Sequence, residues 1–182
     1  MATNPLDDLR AAHEGEYFSK RDQELIEKLR TKVKVETATR DIEAAGLQDH
    51  ALAEDLARLG IDASNLQILH LVPLIQVGWA SGQVEPEERA LLQMAARQAG
   101  VDEKHPAWAT FSGLLDKRPS PQLYKAALAY IATVADPSTR HSLLDTARTV
   151  AAATGGLFGL LGNTEQAERD VLSEIALKLG VD

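Results

Sequence analysis

The chain of 182 residues contains no cysteine. That excludes a disulfide framework, thiolate-bound zinc, iron–sulfur clusters and a cysteine nucleophile. Aromatic residues are scarce: two Trp, three Tyr and three Phe. So few provide no platform for stacking nucleic-acid bases. Positive charge is in deficit, with 19 Lys and Arg against 27 Asp and Glu and a formal net charge of −8. Non-specific binding to nucleic acid and to anionic lipid is driven by positive charge, so no nucleic-acid partner is expected. Long apolar runs are missing as well. The longest uncharged stretch, residues 63–84, carries Asn65, Gln67, His70, Pro73, Gln76 and Gln83. A lipid-facing helix would bear these at heavy cost, so the stretch reads as a helix buried in protein and no transmembrane segment is expected. Residues 149–164 are uncharged too, but four glycines break them. Residues 1–10 hold Asp7 and Asp8 and no apolar run, so no secretory signal is visible. With the absence of cysteine, this points to the cytoplasm.

Helical signals fill the chain, and no segment shows sustained strand alternation. The pattern predicts an all-α fold. Pro5 suits the first turn of a long helix capped by Asn4, running to about Val35 and on toward Ala45, with Gly46 as its stop. Leu25, Ile26, Leu29 and Val33 make a narrow apolar stripe on it, and Tyr17 and Phe18 add an aromatic anchor upstream. A short helix from about His50 to Arg58 follows, ended by Gly60. The division expected is a charged helical arm over residues 1–62 and a helical domain over residues 63–182. In that domain Ser64 is expected to cap one apolar helix running to about Ala80 and kinked at Pro73. Further helices are expected over residues 85–99, 106–115, 121–135, 138–153 and 165–179, separated by Gly, Pro and Asp-Pro joints.

An internal repeat organises this domain. Residues 85–102 (EPEERALLQMAARQAGVD) align without a gap on residues 165–182 (EQAERDVLSEIALKLGVD). Eight of 18 positions are identical: Glu85/Glu165, Glu88/Glu168, Arg89/Arg169, Leu92/Leu172, Ala96/Ala176, Gly100/Gly180, Val101/Val181 and Asp102/Asp182. The expectation is a bundle of two pseudo-repeated helix–turn–helix units preceded by a long N-terminal helix. Residues 77–89 (VGWASGQVEPEER) resemble the A-D-G-x-V-x-x-x-E signature of TerB-like domains, the tellurite-resistance-associated all-helical family. Ala153-Thr154-Gly155 with Glu165 and Glu168 is similar to a degenerate second copy of that signature. The resemblance covers roughly residues 64–182. It implies a helical bundle, a link to stress response, and metal binding by acidic residues of the two motifs. It carries no established reaction.

Here the signature Asp is replaced by Ser81 in the first copy and Thr154 in the second. Laid on a calcium-binding helix–loop–helix, the early ligand positions would be Val77, Trp79 and Ser81, two of which offer no side-chain oxygen. A looser divalent-metal site from Glu85, Glu88, Glu165 and Glu168 is the remaining cofactor candidate. The competing reading gives these first-turn glutamates to helix capping and the helix dipole. Arg89 and Arg169 either pair with the opposite copy's glutamate or stand in solvent.

The stretch 155–162 (GGLFGLLG) lacks the Lys-Ser/Thr of a phosphate loop. Leu157, Phe158, Leu160 and Leu161 would be an apolar tip for a membrane surface or a protein groove, or a cover for the bundle's own core. The five histidines are scattered without metal-ligand spacing, and no nucleophile elbow or Ser/His/Asp order is present. His70 reads as a hydrogen-bonded core residue. Lys28, Arg30, Lys32 and Lys34 are spread round the first helix by their spacing of two. The function expected is therefore a non-catalytic interaction or scaffold protein. Its partner is another protein or a second copy, met through the arm and through Tyr17 and Phe18. The rivals are a metal-dependent sensor or enzyme and a peripheral membrane adaptor.

Overall fold

A computed structural model describes the backbone of residues 5–155 and 162–181 and the side chains of residues 20–153 and 166–181. Helix α1, Pro5–Ala44, opens the chain as one uninterrupted element of 40 residues. Its sequence is rich in Ala, Leu, Glu, Lys and Arg, the strongest helix formers. Gly46 ends it at a φ of +116°, where its amide bonds Glu43 O at 2.9 Å. Near its C-terminal end Ala38, Thr39 and Ile42 are buried. Every residue from Lys20 to Lys34 is exposed. Helix α2, His50–Arg58, turns back against that docked end. Asp49 caps it through the Leu52 amide at 3.1 Å. Its apolar face, Ala53, Leu56 and Ala57, is buried and continuous with the core of the rest of the molecule.

The apolar stretch that follows departs from the single kinked helix expected. It is a short 3-10 helix, Leu66–His70, and then helix α3, Val72–Gly78. Proline has no N–H and its ring excludes the carbonyl four residues back, so Pro73 restarts the helix in its first turn. Ser64 is not a cap. Its amide bonds Asp62 Oδ1 at 2.9 Å in a local turn, and its hydroxyl bonds the same oxygen. Val72, Ile75 and Val77 show no exposed surface, and burying a side chain of that size contributes roughly 1.5–3 kcal/mol.

Helices α4 (Pro86–Gln98), α5 (Trp108–Asp116), α6 (Pro121–Val134), α7 (Pro137–Gly155) and α8 (Gly162–Leu179) complete the fold. Helix α3 is the hub and packs on α4, α6, α7 and α8. Helix α7 also packs on α4 and on α8. The fold is an all-helical bundle, and no strand occurs among the described residues. None of its described helices is long and apolar enough to cross a membrane.

Candidate functional site

A loop over residues 79–85 joins α3 to α4. Gly82 takes a φ of +103°, which a side chain would strain, and Ser81 Oγ donates to Gln83 O at 2.8 Å. Val84 packs on the core. Glu85 precedes α4, and the carboxylate Oε2 of Glu88 accepts the Glu85 amide at 2.8 Å, one half of a capping box. Glu88 has no exposed surface at all. Gly78 of α3 packs closely beside it: an added Cβ there would stand 3.3 Å from Leu92 Cδ1, tighter than ordinary contact, and 3.8 Å from Glu88 Oε2.

The second segment of the repeat carries local features that match the first. Gly100 and Gly180 follow their helices at φ of +82° and +64°. Val101 N bonds Ala96 O at 2.8 Å, and Val181 N bonds Ala176 O at 3.1 Å. Glu168, like Glu88, is buried. The side chains of Glu165 and Thr154 lie outside the described residues, as do Leu157, Phe158, Leu160 and Leu161 and the side chains of Tyr17 and Phe18. Among the described residues no three of His, Asp and Glu are grouped so as to hold a metal ion.

Arg89 reaches α5. Its guanidinium bonds Leu115 O at 3.0 Å and Asp116 Oδ1 at 2.9 Å, at the C-terminal end of α5. Trp79 reaches the same end, donating its indole N–H to Leu114 O at 2.9 Å. Two residues in and near the α3–α4 loop thus bind successive carbonyls that α5 leaves open, and a cation near a helix C-terminus is favourable there. Neither contact had a sequence signal: the partners lie far apart in the chain.

Of the histidines, His70 is half-buried and stands edge-on to Tyr130, with ring centroids 5.8 Å apart. Burial pushes its imidazole below the ordinary range. His50 is its opposite: Nδ1 lies 2.6 Å from Glu43 Oε1, and this hydrogen bond and charge raise it. On α6, burial and the Glu174 carboxylate push the Tyr124 phenol above its ordinary range. A groove between α4 and α7 holds about 570 Å³ and is lined by Leu91, Met94 and Val150 with His141 and Asp145.

The arm presents the other feature of note. Leu25 is 56 % exposed, Ile26 47 %, Leu29 54 % and Val33 60 %. At about 100° per residue these four fall on one face of α1, beyond the point where α1 leaves the bundle. Comparisons with protein-family models, curated proteins and solved structures found no match to this chain.

Proposed function

We propose that this chain is a non-catalytic helical scaffold that engages a protein partner through the free part of α1. The observation that supports this reading is the stripe of Leu25, Ile26, Leu29 and Val33. Four large apolar side chains stand in water on a helix with helix-forming residues on its other faces. A helix face of this kind is stabilised by packing against another apolar surface. A TerB-like assignment, with its stress-response link and a place in the cytoplasm, belongs to the same proposal. Its support is the residues of the signature loop. The test is capture on immobilised full-length chain, native against L25D/L29D, from a lysate of its own cells. A protein retained by the native chain and lost with the variant is the expected result; identical retention counts against the reading.

A second reading is favoured by one observation, the burial of Glu88 and Glu168 at matching positions of the two segments. In this reading a divalent cation, which prefers several carboxylate oxygens, is held by Glu85, Glu88, Glu165 and Glu168. Calorimetry with calcium, magnesium, manganese and zinc decides this reading: absence of heat and of any thermal shift removes it. The membrane-adaptor reading rests on Leu157, Phe158, Leu160 and Leu161, and vesicle flotation without binding removes that one.

A further inference from the structure

We infer that the partner of the arm is a second copy of this chain, and that the two α1 helices pair antiparallel, crossing near Glu27. The inference rests on the reading of α1 as a docking helix and names its occupant. Charge carries it first. Residues 5–27 hold seven acidic and three basic side chains, whereas residues 28–40 hold five basic and one acidic. The sign changes across a single peptide bond, between Glu27 and Lys28. A parallel pair would set acidic half on acidic half and basic half on basic half, with like-charge repulsion along both. An antiparallel pair crossing at the sign change sets residues 28–40 of each copy against residues 14–26 of the other, which hold four acidic and two basic side chains.

The apolar stripe agrees with the same crossing point. Leu25 and Leu29 lie equally far on either side of Glu27, so an antiparallel crossing there lays Leu25 of one copy against Leu29 of the other, and the reverse. On the helical wheel Lys28 and Lys32 flank the stripe on one side, and Arg30 and Lys34 flank it on the other, at about 100° per residue. The stripe is therefore bordered by basic side chains on both sides, and the acidic half of a second copy is their complement. The same crossing brings Asp22 of one copy level with Lys32 of the other. All four apolar residues and all four basic ones are exposed in the single chain, and Lys32 Nζ stands 3.8 Å from Glu36 Oε1 of its own helix, a solvated pair that can yield to a new one.

Sedimentation of the full-length chain over a wide concentration range tests this. The expected result is a monomer–dimer equilibrium that weakens as salt rises, because opposite-charge contacts at a solvated interface are screened. L25D/L29D should lose the dimer and keep its helical circular dichroism. The orientation has its own readout. The chain has no cysteine, so D22C and K32C each carry one thiol. Mixed and oxidised together, they should give the 22–32 mixed disulfide in more than the half share expected by chance. A chain that stays monomeric at every concentration overturns the inference, as does an excess of 22–22 and 32–32 disulfides. So does a monomer that floats on anionic vesicles through the same stripe. A monomer that still captures another protein through Leu25 and Leu29 overturns the second copy and leaves the docking reading standing. A monomer with no stripe-dependent capture overturns both.

Discussion

At the scale of single residues, His50 and His70 give the molecule two pH dependences of opposite sign. His50 is raised by Glu43, so the folded chain binds its proton more tightly than the unfolded chain does. That contribution is complete below the ordinary value of about 6.5 and is lost as pH rises through the raised folded value. Its side chain is exposed, so salt should weaken it. His70 is lowered by burial, so its contribution is complete above about 6.5 and is lost as pH falls through the lowered value. An NMR titration should place the His50 midpoint above that of an unstructured histidine and His70 below it. In E43Q the His50 midpoint should fall back while His70 does not move; coincident midpoints in the native chain would refute both assignments. Glu88 invites a simpler test. Removing a capping side chain costs about 0.5–2 kcal/mol, and an amide preserves the carbonyl oxygen that accepts the Glu85 N–H. Urea unfolding should show E88A clearly less stable than E88Q. The capping spacing of Glu85 and Glu88 was legible in the sequence. Complete burial of Glu88 was not, because it depends on how the preceding helix packs beside α4, with Gly78 close to Leu92, and nothing local marks that approach.

Among elements, the ends were easier to read than the contacts. Gly46, Gly60 and Gly100 stop helices where glycine is needed, with φ of +116°, +85° and +82°. Pro86 and Pro121 open helices that have proline in the first turn. Pro73 was misread because a proline inside an apolar run fits both a kinked long helix and a fresh start, and only packing decides. The apolar stretch folds as a 3-10 helix and then α3, which leaves His70 at the junction beside Tyr130. Helix α5 shows what sequence patterns omit. Trp79 and Arg89 hold its last carbonyls from two other parts of the chain. Each hydrogen bond contributes about 1 kcal/mol net. W79F and R89A should each lower stability by that order, the former also by lost packing. Because both act on one helix end, the double variant should lose less than the sum. Simple additivity in urea unfolding would mean that the two contacts are independent.

For the whole molecule, the net charge of −8 conceals a sharper division. One long helix carries opposite charge on its two parts, and its residues 20–34 are all exposed and add nothing to the core. The amides of residues 20–34 should therefore exchange with solvent far faster than those of α3 and α6 in dilute solution. If arms pair, protection of residues 20–34 should rise with protein concentration while that of α3 and α6 stays constant; equal protection at all concentrations would count against pairing. That α1 is a single helix from Pro5 to Ala44 has a mechanical consequence. No joint separates the free portion from the end anchored by Ala38 and Ile42, so the bearing of the apolar face is keyed to the bundle like the bit of a key to its shaft. One alanine inserted after Lys34 would turn that face by about 100° and advance it by about 1.5 Å. Seven inserted residues would bring it back nearly into phase, displaced by about 10 Å along the axis.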